Sequence, residues 1–578
     1  MERIAKSILS PKFSTILSTL NSEEMTRTKK NKPGAKQREE KAVKAQVFEG
    51  PKITDGKIPH TKLGQSEDFY HQFVKKRQPV VLQGKPEDLE FVTKNWSDVD
   101  YLRKTAGDAP VKVEPMHKEK KRYGTDVERV DTTFGAFLDS LKEEKDEYDY
   151  LTTQYSDDED DMCDSDDDDD DGETNEGQDN EIKSGTFPQP IRALLREEVP
   201  LRPNVMGNLV LQQMNIWLGK SKAGTSSGLH HDFHDNLYIL LKGRKRFVLY
   251  PPPAVHHLDT YGKPKKIHHN GLIAYKQPGE DEEEDNEEEE DNEADQIRAD
   301  GLVERDAAAL KVQALEEKMD KIEESGEKSN LEKVQKEYGD AVERLMRYQT
   351  ADFGELGEDD FDEVSSEEEE DPEELKDQVL RDRPSKKRKA DGELDGRDAK
   401  TSKAGAEDDE DSDANDDDSD ADLLEALERA QNGQLDDLDD DEDASDIDLE
   451  EAFANAQGED VPSEPLSFSQ ISTQELHSHL GLTSPQQTSA ALEKAGKPYI
   501  VDLKAGEMLY LPTSWFHEVT SFSDESDDNI HIALNYWFHP PDGSSGKFEH
   551  PYQDVALWEF MEEKVKSAYD SLVGDKEE

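Results

Sequence analysis

Residues 228–235 read GLHHDFHD, so three histidines and two aspartates crowd into one short segment. Side chains of an extended chain alternate, which puts His230 and Asp232 on one face and His231 on the other. An imidazole and a carboxylate so placed make half of a mononuclear metal site. The best third donor is His517 in LPTSWFHEV, where an apolar strand-turn-strand has no other use for an imidazole. Two histidines and one carboxylate on one face of an octahedron leave three positions open, the arrangement favoured by non-haem Fe(II) oxygenases. A closed structural zinc site takes four ligands, usually with cysteines, and this chain has only Cys163. Taken alone, H-x-D fits an exposed polar edge strand better than a metal site.

Lys245 tips that balance. In KGRKRFVLYPP, the alternation groups Lys245 with Phe247 and Leu249, and Arg244 with Arg246. An ammonium on an apolar face is costly to bury unless an anion pairs with it. No acidic residue nearby shares that face, so the expected anion is a bound ligand. A dicarboxylate bridging the metal and Lys245 satisfies both.

Several elements must position these groups. FYHQFVKKRQPVVLQG reads as a helix then a short strand, and WSDVDYLRKTAGDAPVKVE repeats that order. TFGAFLDSL is a short helix and YDYLTTQY a strand. Strand signals follow in LVLQQMNIWLG, GLHHDF, NLYILLKG and KRFVLYPP, and return in YIVDLKAGEMLYLPTSWFHEVTS and NIHIALNYWFHPP. Trp558, Met561, Val565, Tyr569 and Leu572 mark one face of a final helix. Strands on both sides of a long insertion are expected in one sheet system. Loop closure grows only logarithmically with length, by about 0.6 kcal/mol per doubling, so the interruption is tolerable.

Composition confines the folded part. Asp and Glu total 139 against 71 Lys and Arg, the formal net charge is −68, and only 32% of residues are hydrophobic. Much of such a chain cannot bury a core. Its field repels nucleic acid and attracts basic proteins. One cysteine allows no intrachain disulfide, and no run approaches the ~18 apolar residues of a membrane helix. The N-terminal segment lacks the uninterrupted apolar region of a secretory signal. The expected divisions are a basic, polar tail over 1–59, an α/β part over 60–155, an acidic loop over 156–189 and a first strand-rich half over 190–278. An acidic insertion over 279–462, a second half over 463–541 and a C-terminal helical part over 542–578 complete the chain. Within the insertion, the spacing predicts two amphipathic helices over 303–348, with a Ser329–Glu332 capping box on the second. EALERAQ (425–431) and EAFANAQ (451–457) form a weak repeat among aspartates.

The blocks RQPVVLQG, NIWLG, HHDFHDNLY with KGRKRFVLYPP, AGEMLYLPTSWFHEV and ALNYWF, in that order, resemble the JmjC-domain, cupin-type 2-oxoglutarate oxygenases. The likeness covers about 60–150, 190–277 and 463–541, and is greatest to the small JmjC-only protein hydroxylases. It implies a mainly β fold: a double-stranded β-helix, or jelly roll, with flanking helices and the acidic, partly helical insertion. It implies Fe(II) on His230, Asp232 and His517, with 2-oxoglutarate and O2 as cosubstrates. Lys245 would take the distal carboxylate of 2-oxoglutarate. Ser227 stands where the family often has threonine, Asn236 and Asn535 where it places amides near the cosubstrate, and Tyr150 where a tyrosine bonds the same carboxylate. Trp217 and Trp537 read as core residues.

The activity so implied is a 2-oxoglutarate-dependent dioxygenase acting as a protein side-chain hydroxylase. A JmjC lysine demethylase is the enzymatic alternative, because hydroxylation of an N-methyl group ends in its loss. A relative that modifies tRNA fits poorly with so acidic a chain. An acidic scaffold or histone-binding protein with an inactive cupin is the non-enzymatic reading. The expected partner is a basic protein substrate, with histone, ribosomal and GTPase proteins as candidate classes, and neither nucleic acid nor membrane. RPSKKRKAD sets Lys386–Lys389 in acidic surroundings, a cluster suited to an import receptor, so the nucleus, alongside the cytoplasm, is the expected location.

Overall fold

The computed structural model describes residues 48–574 except 49, 52, 54–55, 85, 126, 155–181, 184, 277–292, 326–329, 352–463, 524–528 and 544–545. Most of the N-terminal tail, the acidic run with Cys163, Ser329 of the expected capping box, the two seven-residue repeats and Lys386–Lys389 lie outside the described residues. Five strands precede the first acidic run: β1 (His60–Lys62), β2 (Val80–Gln83), β3 (Pro110–Glu114), β4 (Val130–Thr133) and β5 (Tyr150–Leu151). Then come β6 (Leu211–Gly219), β7 (Thr225–Ser226), β8 (Asp235–Lys242), β9 (Arg244–Tyr250), β10 (Pro264–Ile267) and β11 (Ile273–Tyr275). The last four are β12 (Tyr499–Lys504), β13 (Met508–Leu511), β14 (Phe516–Phe522) and β15 (His531–Phe538).

Two sheets carry the architecture. The larger runs β1-β2-β13-β8-β15-β6-β5-β3-β4, the smaller β12-β9-β14-β7, and β10 pairs with β11 apart from them. Strands from either side of the long insertion interleave: β15 lies between β6 and β8, and β14 pairs with β9 in the register His517 to Leu249 and Ser521 to Lys245. Alternation along each strand sorts the core. Tyr238, Leu240, Phe247, Leu249, Leu509, Leu511 and Ala533 form the apolar layer shared by the two sheets. Their neighbours Leu237, Ile239, Met508, Tyr510, Ile532 and Leu534 face the helices behind the larger sheet. Full burial of one such aliphatic or aromatic side chain stabilises by ~1.5–3 kcal/mol. Gly243 (φ +84°) turns the corner where the chain leaves the larger sheet for the smaller one; a Cβ there would meet His531 Cβ and the Phe522 carbonyl, each at 2.7 Å.

This architecture corrects the expected fold class. The protein is a mixed α/β fold, not a mainly β double-stranded β-helix: among the described residues no sheet closes into a barrel, and more of them lie in helices than in strands. The metal-bearing residues 228–233, expected as a strand, make only isolated bridges from His230 to His517 and to Phe468, so ordered pairing lapses between β7 and β8. Amphipathic segments, meanwhile, supply long helices. The expected pair over 303–348 is present as Glu304–Ser325 and Leu331–Ala351, packed through Leu315, Met319, Tyr338 and Leu345. It also docks on the C-terminal helix Val555–Gly574, with Lys311 paired to Asp554 (2.8 Å) and Lys564 to Glu317 (2.8 Å). Among the described residues, no helix is long and apolar enough to cross a membrane.

Candidate metal centre

His230 and Asp232 sit on the irregular segment that joins β7 to β8, and His517 is the second residue of β14. Gly228 (φ +73°) starts that segment; a Cβ there would lie 2.7 Å from the Arg122 guanidinium, so the backbone must pass close to it. Two backbone bonds then tie the ligands together, His230 N to the His517 carbonyl at 3.1 Å and His517 N to the His230 carbonyl at 2.6 Å. One potential ligand atom from each of His230, Asp232 and His517 falls within 4.8 Å of the others.

The hydrogen bonds fix the tautomers. His230 Nδ1 lies 3.0 Å from the Gly228 carbonyl and His517 Nδ1 lies 2.9 Å from the Trp515 carbonyl. A carbonyl can only accept, so each Nδ1 carries a hydrogen, which leaves Nε2 as the atom that each ring would offer a metal. His517 Nε2 is 3.7 Å from Asp232 Oδ2, on the side where the donors converge. Burial, then the neighbouring His517, holds His230 well below its ordinary value of 6.5, so the ring is neutral as a ligand must be. Burial raises the Asp232 carboxyl, opposed by His517. This donor set fits Fe(II): two imidazoles and one carboxylate on one side of a cavity.

The cavity, about 60 Å³, lies between the inner faces of the two sheets. His230, Asp232 and His517 line it, as do Tyr150, Ser227, Asn236 and Lys245. Lys245 is 1% exposed. Its ammonium donates to Ser521 Oγ (2.6 Å) and Tyr150 Oη (3.0 Å), both neutral, and burial pushes it down to about 7. Among the described residues no carboxylate lies within ion-pair range of it. Ser227 Oγ donates to the Gly228 carbonyl (3.0 Å) and accepts from Val519 N (3.2 Å). Asn535 sits behind the lining: it accepts from Trp217 Nε1 (3.0 Å) and donates to Asn236 Oδ1 (3.3 Å). Trp217, read from the sequence as core, lines the cavity, whereas Trp537 stacks on the His234 ring at 5.4 Å. His231 takes the opposite face, as its parity requires, and meets Tyr275 Oη at 2.6 Å.

Two groups escaped sequence reasoning. Ser521 was legible in principle, since His517, Val519 and Ser521 share a face of β14 and all three line the cavity. Asp235 gave no such signal. Fully buried at the start of β8, it accepts from Arg77 Nη1 (2.9 Å), Tyr510 Oη (2.6 Å) and Thr513 N (3.0 Å). That brace anchors the end of the metal-bearing segment, and its cation comes from 158 residues away.

A cupin-like domain model matches residues 66–544. JmjC domain-containing protein 4 of Schizosaccharomyces pombe is 33% identical over 515 residues, spanning 88% of this chain and 89% of that protein. Shorter stretches match a bifunctional peptidase and (3S)-lysyl hydroxylase of Homo sapiens, 38% identical over 10% of this chain and 17% of that protein, and a lysine-specific demethylase of Arabidopsis thaliana, 34% over 11% and 19%. The chain therefore belongs to the cupin-like JmjC-domain family. With its two-histidine, one-carboxylate cluster, it is an Fe(II)- and 2-oxoglutarate-dependent oxygenase of the hydroxylase type.

Proposed function

We propose that this enzyme hydroxylates a side chain of a basic protein, with Fe(II) held by His230, Asp232 and His517 and 2-oxoglutarate held between that metal and Lys245. The observation that carries the cosubstrate assignment is Lys245 itself: a buried cation, hydrogen-bonded to two hydroxyls and paired with no carboxylate among the described residues, on the same cavity as three convergent metal donors. A buried charge without a counter-ion is costly, and a dicarboxylate bound in the cavity that Lys245 shares with the metal donors supplies one. When bound, Fe(II) would supply the redox chemistry by which one atom of O2 oxidises 2-oxoglutarate to succinate and carbon dioxide and the other is inserted into a C–H bond.

The chain's own residues bind, orient and exclude water. Lys245 and Tyr150 fix the distal carboxylate, with Ser521 holding the ammonium in line. Ser227 and Asn236 offer polar atoms along the cavity wall, and Asn535 with Trp217 sets the rotamer of Asn236. Phe247, Leu509, Leu511 and Val519 make the rest of the wall apolar, which strengthens each polar contact inside it. The acidic surplus of the chain favours a lysine- or arginine-rich substrate. The human relative, a lysyl hydroxylase, supports hydroxylation as the outcome, and the Arabidopsis relative, a lysine-specific demethylase, supports demethylation. Incubating basic candidate proteins with enzyme, Fe(II), 2-oxoglutarate and oxygen decides between them by mass spectrometry. Gain of one oxygen atom with stoichiometric succinate is the expected result; loss of a methyl group assigns a demethylase, and no succinate with any candidate overturns the enzyme's protein specificity.

Nuclear import through Lys386–Lys389 is proposed on the sequence of that cluster. Changing all four to alanine in a fluorescent fusion is expected to deplete the nuclear signal, and a distribution equal to the parent's overturns it.

A further inference from the structure

The metal ligand His230 is clamped by a residue that no metal-site motif contains. Phe468 stacks on its imidazole, ring centroids 4.6 Å apart and planes within 10°. Phe468 is among the first described residues after 352–463, so the chain returns from its longest acidic stretch directly onto the metal-bearing segment. Backbone bonds flank the stack on both sides: Ser469 N donates to the Leu229 carbonyl (2.8 Å) and His231 N to the Ser467 carbonyl (3.3 Å). The Arg122 guanidinium lies 5.5 Å from the Phe468 ring centroid. Arg122 is in turn held by Glu464 (3.2 Å), a carboxylate with only 1% of its side chain exposed, which Lys120 also pairs. Gly124 (φ +69°) closes the arrangement, for a Cβ there would lie 2.9 Å from the Phe468 ring.

We infer that Phe468 is a positioning residue for the metal: with its Arg122–Glu464 clasp it fixes the plane of His230 and so sets the affinity of the site. The physical reason is a missing constraint. The bond to Cβ and the Nδ1 contact to the Gly228 carbonyl hold one edge of the ring but leave it free to tilt about that edge. On its own, that contact would let Nε2 swing away from the position shared with Asp232 and His517. The His517 ring, tilted by 55° at 4.3 Å, restrains the imidazole only obliquely. A flat aromatic face parallel to the imidazole removes the remaining rotation. Partners behind a metal ligand of this kind change metal affinity by about 10- to 100-fold when lost. Phe468 does not line the cavity, so the distal carboxylate end at Lys245 lies outside its reach.

The test uses the full chain stripped of metal and titrated with Mn(II), which binds such donors without turnover, and with Co(II) for its visible spectrum. Phe468→Ala is expected to weaken Mn(II) binding about 10- to 100-fold and to broaden the Co(II) bands, while the KM for 2-oxoglutarate at saturating metal stays at the parent value. Phe468→Tyr keeps the flat ring and is expected to restore affinity to within about threefold. A purely structural residue would move the melting temperature without this split between metal affinity and KM. Parent-like Mn(II) affinity in Phe468→Ala, or an equal loss in Phe468→Tyr, overturns the role. Should Phe468→Ala fail to fold, Glu464→Gln loosens the clasp without touching the ring. That variant is expected to lose affinity by severalfold, and an unchanged value overturns the inference. The inference rests on the metal assignment, and the two fail differently: a parent chain that binds no Mn(II) removes the metal site, whereas unaltered variants remove only the clamp.

Discussion

The two ends of the cavity are built on opposite principles. At the metal end, donors are made available: hydrogen bonds from Nδ1 to carbonyls turn the Nε2 atoms of His230 and His517 toward the cavity, and burial keeps His230 neutral beside Asp232 on a segment with no regular pairing. At the lysine end, a charge is made needy: regular strands β9 and β14 bury an ammonium among hydroxyls until it falls to about 7. The first end needs geometry and tolerates the absence of charge compensation. The second needs an anion and tolerates some looseness in position, because a charge–charge interaction falls off slowly with distance. Changes at the metal end should therefore act as losses of function, and changes at the lysine end as graded shifts in cosubstrate demand.

The largest effect is expected at the metal end. His517→Ala removes one of three donors, and no spare donor among the described residues joins the cluster. Turnover of 2-oxoglutarate should drop to background while circular dichroism keeps the parent form. Turnover near the parent rate would falsify the assignment and dissolve the comparison.

Next comes Lys245→Met, close in volume but uncharged. Loss of a charge-assisted contact of ~1.5–3 kcal/mol should raise the KM for 2-oxoglutarate about tenfold to a hundredfold, with Mn(II) affinity unaffected. An unchanged KM places the distal carboxylate elsewhere.

Acidity sharpens the same contrast. Lys245 sits at about 7 in the ligand-free fold instead of its ordinary 10.5, owing to burial. A dicarboxylate prefers the ammonium, so below about pH 7 binding needs no proton. Above it a proton must be taken up, and the apparent Kd for 2-oxoglutarate should climb by up to about tenfold per pH unit. For stability the sign reverses. Between about 7 and 10.5 the unfolded chain binds the extra proton, so this group makes the ligand-free fold more stable as pH rises through that window. Lys245→Met should flatten both slopes. Calorimetric titration from pH 6 to about 9 measures the first, and a slope equal in parent and variant would assign the dependence to another group.

The same division decides what could be read in the sequence. Lys245 was legible because β9 is regular: alternation put it with Phe247 and Leu249, and the structure buries all three on one face. His230 and Asp232 were found by parity even though their segment is not a strand, since an extended stretch alternates with or without partners. The mainly β, jelly-roll expectation failed for a different reason. Strand signals are conspicuous locally, but whether a sheet closes depends on pairing between distant strands, and residues 228–234 leave that pairing incomplete. The helical pair at Glu304–Ser325 and Leu331–Ala351 was visible as spacing, yet its docking on Val555–Gly574 rests on ion pairs across more than 200 residues, which no local pattern announces. The brace from Arg77 to Asp235 was hidden likewise: Asp235 looked like one more acidic residue in a crowded motif.

The smallest effect is expected at Ser521, and it tests whether the lysine end is as tolerant as proposed. Ser521 Oγ accepts from the Lys245 ammonium at 2.6 Å, and Tyr150 Oη lies 3.0 Å from the same nitrogen. Ser521→Ala removes one neutral acceptor and leaves the charge, the other contact and the metal end intact. A net loss of ~0.5–1.5 kcal/mol corresponds to a KM for 2-oxoglutarate about two- to tenfold higher. Tyr150→Phe should cost somewhat more, because the phenol both steadies the ammonium and has a hydrogen of its own to donate in the cavity that it lines. The order Lys245→Met, Tyr150→Phe, Ser521→Ala follows from charge outweighing hydroxyls in a poorly solvated cavity. Steady-state kinetics at saturating metal reads all three. A Ser521→Ala variant as impaired as Lys245→Met would mean that the ammonium is useful only in one exact position, and the lysine end would then be as geometrically strict as the metal end.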